Sequence, residues 1–207
     1  MLFDFDGLPR EKRAKLLLST VVPRPIAWVV TRDEAGRVNA APFSFFNVMG
    51  SNPPTLALGI ARRPAGLKDT AANIKATGEF VVNLVPHRLA EAMNLTSFDA
   101  ESGVDEIAAA GLTAQPSHRV APPRIGESPV AMECKVMTLI EQESGHTIVL
   151  GEVLAMHLAE EAVMDVERCY IDTPALDLIG RMHGGGWYSR TTERFDMPRP
   201  AGINRYG

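Results

Sequence analysis

Asn39-Ala40-Ala41-Pro42-Phe43-Ser44-Phe45-Phe46-Asn47-Val48-Met49-Gly50-Ser51-Asn52-Pro53-Pro54 is the stretch on which the reading of this chain turns. It begins as strand, grows rich in hydroxyl, amide and aromatic side chains, and ends in a double proline. Read as structure, it is a strand passing into a turn, with its phenylalanines in the core. Read as chemistry, it sets rings beside short polar groups, which suits a flat amphipathic ligand. Ser44, Asn47 and Ser51 would then supply hydrogen bonds, and Phe45 or Phe46 an apolar face. The stretch alone leaves both readings open.

Its flanks are strands. Upstream, the spacing over Pro9 to Ser19 predicts a short helix with proline in its first turn. Val22-Pro23-Arg24-Pro25 stops it, because each proline pushes its predecessor to extended geometry. Ile26 to Thr31 is apolar on both faces, as a barrel wall covered from outside would be. A turn at Arg32 to Gly36 and a return strand from Arg37 make a β-hairpin that runs into the quoted stretch.

Downstream, Thr55 to Ala61 alternates small with large: Thr55, Ala57, Gly59 and Ala61 against Leu56, Leu58 and Ile60. Such a strand leaves its backbone approachable on one face. Lys68 to Thr77 has helical spacing, and Gly78 is placed to end it. Phe80 to Val85 is a strand whose only polar side chain, Asn83, needs partners if buried, from backbone or from ligand. A short helix over His87 to Leu95, a polar loop from Thr96 to Gly103 and a helical turn over Asp105 to Ala110 follow. The prolines of residues 115–129 indicate an ordered surface loop. Val130 to Glu141 and Thr147 to Leu158 are long strands joined by residues 142–146. After Glu160 regularity fades, with a helical turn expected over Asp177 to Met182.

About six antiparallel strands with short helices between them give a mainly β barrel with helical inserts; parallel βαβ repetition is absent. We expect one domain over residues 1–195 and a C-terminal tail over 196–207. The net charge of −4 implies no basic patch, so nucleic acid is not an expected partner. No apolar run approaches a membrane span, and the first residues lack a basic-then-apolar signal, so the expected setting is the cytoplasm. Cys134 and Cys169 read as free thiols. The five histidines lack ligand spacing, and no metal site is expected. There is no Gly-x-Gly-x-x-Gly after a strand, no P-loop and no Gly-x-Ser-x-Gly elbow, which disfavours a Rossmann dehydrogenase and a serine hydrolase.

Lys68-Asp69-Thr70, at a helix start, is the strongest local site for an anion. Unpaired N–H groups and the helix dipole favour negative charge there, with Lys68 and Thr70 adding an ammonium and a hydroxyl. Arg62 and Arg63 lie just upstream. The alternative is ordinary capping by Asp69 or Thr70. His146 sits at a hairpin tip, where a solvated loop histidine is the plainer reading. Glu133 and Glu152 lie in adjacent strands, where a rim or subunit contact explains them as well as catalysis does.

The combination resembles the flavin reductase-like, FMN-binding split-barrel family, which includes the flavoredoxins. The matching residues are Val22-Pro23-Arg24-Pro25-Ile26-Ala27-Trp28-Val29, Asn39 to Asn47, Asn52-Pro53-Pro54, Lys68-Asp69-Thr70, Gly78-Glu79-Phe80-Val81-Val82-Asn83-Leu84, and His146 leading to Gly151-Glu152-Val153. The resemblance implies a homodimeric split antiparallel β-barrel with FMN near the subunit interface. It places Ser44, Phe45, Phe46 and Asn47 beside the ribityl chain and ring, with Ser51 in the same stretch. Lys68, Asp69, Thr70 and Arg62 would surround the phosphate, and Asn83 is a further cofactor contact. His146 would lie where a nicotinamide stacks, although Ser144-Gly145-His146 replaces the more usual Gly-Asp-His.

The function so implied is an FMN-dependent oxidoreductase taking hydride from NADH or NADPH. It would pass reducing equivalents to flavin, a small-molecule acceptor or a partner oxygenase. The alternatives are a non-enzymatic flavin-binding electron carrier and a barrel serving only as an interaction module.

Overall fold

Proline punctuation sets the first quarter of the chain. In the computed structural model, which describes residues 1–64, 66–98 and 103–198, Pro9 stands just before helix α1 (Arg10–Thr20). Its missing N–H costs no helical bond at that end. Past Val22-Pro23 come the two-residue strand β1 (Arg24–Pro25) and then β2 (Ala27–Arg32), whose residues from Ala27 to Thr31 are all buried. Asp33 closes the next turn by accepting from the backbone N–H and Nε of Arg37. β3 (Val38–Phe43) then returns antiparallel to β2, as the hairpin reading expects.

The quoted stretch is two strands rather than a strand passing into a turn. After β3, Ser44 and Phe45 turn a corner, and β4 (Phe46–Ser51) pairs with β5 (Pro54–Ile60). Helix α2 (Asp69–Thr77) ends at Gly78, whose φ of 71° lets its N–H reach the Ile74 carbonyl. β6 (Glu79–Leu84) follows, then α3 (Ala90–Leu95) and α4 (Glu106–Ala109). Asp105 caps α4 by accepting from the N–H groups of Ile107 and Ala108. Part of the expected Thr96–Gly103 loop, residues 99–102, lies outside the described residues, as do residues 199–207 of the expected tail.

The proline-rich loop carries the short ladder β7 (Ala114–Gln115) with β8 (Arg124–Ile125). The two long strands, β9 (Val130–Glu141) and β10 (Thr147–Leu158), fall where the pattern puts them. A second short ladder joins β11 (Val163–Asp165) to β12 (Tyr170–Ile171).

The main sheet has seven strands, one more than expected, in the order β3-β2-β6-β9-β10-β5-β4. Its two edge strands, β3 and β4, are consecutive in the chain. Laid flat, six gaps of about 4.8 Å would hold those edges about 29 Å apart. Phe43 and Phe46 are three Cα steps apart, a reach of about 11 Å at most. The sheet therefore has to curl until its edges meet, and the Gly59 N–H donating to the Phe45 carbonyl at 2.7 Å ties the corner down. The fold is mainly β, a split antiparallel barrel with helical inserts.

Two apolar layers result. Val29, Phe43, Phe46, Leu56, Leu58, Phe80 and Val149 fill the inside. Trp28, Val30, Val81, Met93, Ile107 and Ile125 form a second cluster on the other face of β2 and β6, where α3, α4 and the proline-rich loop cover them. That cover is why β2 is apolar on both faces.

Beyond Glu160 the chain is more regular than its pattern suggests. The expected helical turn over Asp177 to Met182 is replaced by a 3₁₀ turn at Thr173–Leu176 and strand β13 (Ile179–Arg181). With β14 (Tyr188–Arg190), β13 forms a small sheet on β1. Gly180 permits this, since a Cβ there would lie 2.9 Å from Pro23 Cβ and 3.3 Å from the Arg24 carbonyl oxygen. The turn ends at Asp177, held at φ 42°. Local periodicity carries no signal for a three-residue strand paired to residues so far upstream.

Candidate functional site

The alternation in β5 builds the floor of a groove. Leu56, Leu58 and Ile60 are buried inside the barrel, while Thr55, Ala57 and Gly59 are only partly covered. A groove of about 920 Å³ opens over Ala57 and Gly59. The Ser44-Phe45 corner and Asn47 form one wall, His146 and Ile148 a second, and the face of α1 a third. Gly59 is needed for this shape, because a Cβ there would come within 3.0 Å of Phe45 Cβ.

The four residues from Ser44 to Asn47 have separate jobs. Ser44 Oγ accepts from Arg24 Nε at 3.4 Å. Phe46 is core, whereas Phe45 is 47% exposed and presents its ring at the groove. Asn47 is exposed, and its Oδ1 accepts from the Val48 N–H at 2.8 Å, which leaves its amide N–H groups for another acceptor. His146 is half-buried in the groove wall rather than fully solvated, with Nδ1 3.1 Å from Ser144 Oγ.

A second depression lies further back along β3, lined by Pro42, Phe43, Ser44, Ser97, Arg181 and Tyr188 among others. A third follows, lined by Asn39, Pro42, Ser97, Arg63, Lys68, Asp69, Thr70 and Glu106. The three share Pro42, Ser44 or Ser97 in succession, so residues 39–47 line one interrupted track.

At its far end Lys68 occupies the cap position of α2 without a side-chain cap bond, and Asp69 and Thr70 do not fill that position. Asp69 instead pairs with Arg63 at 3.0 Å. Buried Thr70 accepts from Asn39 Nδ2 at 2.9 Å. Lys68 Nζ stands 6.0 Å from the centre of the Phe43 ring. Glu106 accepts from the Ala40 N–H at 2.9 Å. Burial raises its carboxyl above the ordinary range; the Ala40 hydrogen bond opposes this, and the charges of Asp69 and Asp105 add to it.

The anticipated site residues thus divide. Ser44, Phe45, Asn47 and His146 meet in the groove, with Phe46 beneath; Lys68, Asp69 and Thr70 gather at the other end. Arg62 stands apart from them, packed against Gly145 of the hairpin tip, and Arg63 takes the place beside α2. Ser51 pairs with Pro54 at the exposed far end of β4. Asn83 is in the core: it donates to the Trp28 carbonyl and accepts from the Ile125 N–H, both at 3.0 Å. Glu133 is likewise internal, accepting from the N–H groups of His118 and Arg119 and bonded to His157. Burial pushes its carboxyl up, but these bonds together bring it below its ordinary value.

Several lining residues escape a local reading: Asn39, Arg24, Arg181, Tyr188, and Arg10 and Arg13 of α1. Asn39 and Arg24 lie within the matching stretches and the α1 arginines within the helical stripe Arg10, Arg13, Ala14, Leu17, whereas Arg181 and Tyr188 leave no trace in sequence. Among the described residues there is no cluster of three or more side chains able to hold a metal ion. Nor is any helix among them long and apolar enough to cross a membrane.

Comparison with known proteins agrees with this architecture. The family model described as flavin reductase like domain matches residues 18–181. An uncharacterised protein of Deinococcus radiodurans is 47% identical over 203 residues, covering 95% of this chain and 88% of its own. The 2-nitrobenzoate 2-nitroreductase of Pseudomonas fluorescens superposes with a TM-score of 0.89 at 35% identity over 100% of both chains. Nitrilotriacetate monooxygenase component B of Bacillus cereus gives 0.88 at 29% identity, over 95% of this chain and 98% of its own.

Proposed function

We infer that this chain, which belongs to the flavin reductase-like domain family, is an FMN-dependent oxidoreductase that takes hydride from NADH or NADPH. The observation that carries this reading is the track along residues 39–47, apolar and open at Phe45 and ending at the N-terminus of α2, where Lys68 and Arg63 stand among Asp69, Thr70 and Glu106. Five strand steps from Asn39 to Ser44 cover about 17 Å, the scale of an extended mononucleotide.

The residues fit such a group. FMN phosphate carries roughly two negative charges near neutral pH. The N-terminus of α2, with Lys68 and Arg63 beside it, suits an anion. Ser44 and Asn47 offer polar contacts at the groove, and the Phe45 ring offers an apolar one. When bound, FMN supplies the redox chemistry, so the protein need provide neither nucleophile nor strong base. What the chain does is hold and orient. Thr70, fixed by Asn39, and Lys68 grip one end; the Ser44-Phe45 corner sets the other. His146 borders the open side, where it positions the nicotinamide.

In this reading the protein works in the cytoplasm as a homodimer and delivers reducing equivalents to flavin, a small-molecule acceptor or a partner oxygenase. Its relatives include a nitroreductase and a monooxygenase component, which supports both kinds of outlet. Anaerobic titration of the FMN-loaded protein with NADH and NADPH tests it. We expect bleaching of the flavin absorbance by at least one nucleotide. Flavin that stays oxidised with both leaves only the electron-carrier role. The double variant Lys68→Ala, Thr70→Ala tests the phosphate end separately, with FMN affinity expected to fall on the order of tenfold or more, as for loss of a charged hydrogen bond.

A further inference from the structure

The groove beside Phe45 has a third wall to which the flavin reading above assigns no part. Helix α1 places Arg10, Arg13, Ala14 and Leu17 along it, followed by Val21 just past the helix end. The spacing i, i+3, i+4, i+7 is that of one helical face. This face is not bound by core packing, because no residue of α1 is buried. It is instead anchored at its end: Arg24 Nη1 donates to the carbonyls of Leu18 and Val21 at 2.7 and 2.8 Å. The same guanidinium reaches Ser44 through Nε, so the α1 wall and the Ser44-Phe45 corner are fixed to one buried residue.

The charge of this groove is one-sided. Its lining among the described residues holds Arg10, Arg13, Arg24 and His146 and no aspartate or glutamate, on a chain of net charge −4. Arg24 is buried, with Nε and Nη1 bonded to Ser44 and to the end of α1, whereas Arg10 and Arg13 are exposed and form no ion pair among the described residues. The rest of the lining is mostly apolar, Phe5, Leu17, Met49 and Ile148 among it, with Ser44, Asn47, Gln142 and Ser144 as its uncharged polar members. An occupant matched to these walls has an apolar, flat body and an anionic end. Arginine forks meet a carboxylate or a phosphate with two parallel hydrogen bonds, and a carboxylate is the smaller of the two to carry on a flat ring.

We propose that Arg10 and Arg13 form an anion grip for the reactant that enters beside the flavin, and that this reactant is a small aromatic carboxylate. This rests on the flavin reading above for the reaction, but not for the binding. The site is a wall of one chain, distinct from the Lys68 end of the track, and it gives α1 the part of a substrate-selecting element.

Benzoate and its neutral isostere benzamide provide the test. With FMN-loaded protein, each is titrated while the visible flavin spectrum is followed; calorimetry on the protein as purified gives the same affinities without relying on flavin. We expect benzoate to bind at least roughly tenfold more tightly than benzamide, the ratio of about one charge-assisted hydrogen bond. In Arg10→Ala, Arg13→Ala that preference should collapse to within about twofold, with unchanged FMN affinity and melting temperature. Arg10→Lys, Arg13→Lys should retain part of it, since charge survives and the fork does not.

Equal binding of benzoate and benzamide by the natural protein overturns the proposal, as does a preference that survives the alanine pair. A loss of FMN affinity in the alanine pair overturns it in favour of a grip on the flavin phosphate. A weakened NADPH titration with benzoate unaffected overturns it in favour of the donor's phosphates. Protein that takes up no FMN yet prefers benzoate by calorimetry supports the grip while rejecting the flavin reading.

Discussion

Glu106 shows how one residue ties the site to stability. Its carboxylate accepts from the Ala40 N–H across the α4–β3 contact, and it lies beside Asp69 at the α2 end of the track. Burial raises its pKa above the ordinary 4.5. The folded protein therefore keeps this proton to higher pH than the unfolded chain does. Stability from this group is full below 4.5 and declines as pH rises through the raised value. Glu106→Gln keeps an acceptor for Ala40 and should flatten that decline, as read by urea melts from pH 4 upward (roughly pH 4 to 7, the range of a shifted carboxyl). An unchanged pH slope would sink the assignment. At this same scale the sequence was uneven. Ser44 and Asn47 stood out by chemistry, but Asn83 was just as polar and proved to serve two backbone groups of the core. Residue type does not reveal which of two polar side chains faces a groove.

At the scale of elements, pattern was a good guide wherever an element is set by its own residues. β9, β10, the β2–β3 hairpin and α2 with its Gly78 stop all lie where periodicity and punctuation put them. It failed for β13, which exists because Gly180 can approach β1. Helix α1 is the sharper case, since it is formed locally but positioned by Arg24. Burial lowers the pKa of that guanidinium, and the charge of Arg181 opposite adds to the effect, yet arginine stays charged in proteins. Arg24→Ala should free α1 while leaving the barrel intact. Hydrogen exchange is expected to speed up across Arg10 to Thr20, with β2, β6 and β9 unchanged. Equal protection of Arg10 to Thr20 in both proteins would mean that α1 is held by something else.

For the whole molecule, closure of the sheet decides most of what matters. It leaves exposed apolar side chains on β4, β9 and β10: Val48 at 64%, Met137 at 47% and Met156 at 53%. A second copy is the proposed cover for them. Light scattering should then give about twice the 22.5 kDa chain mass, and Met137→Glu with Met156→Glu should shift it toward one chain. A natural protein that runs as a single chain at micromolar concentration would reject the dimer. The sequence by itself determined the strands, the small-residue face of β5, the basic helix start and the family resemblance. The first three are each written within about a dozen neighbouring residues, over which alternation, glycine and proline act, and the resemblance rests on several such stretches taken together. Only the tertiary structure decided that Arg10, Ser44, Gly59 and His146 share a groove, and that Lys68 and Arg63 lie further along the same strand. Those residues meet because a seven-stranded sheet must curl for Ser44 and Phe45 to join its edges, a constraint no local stretch carries.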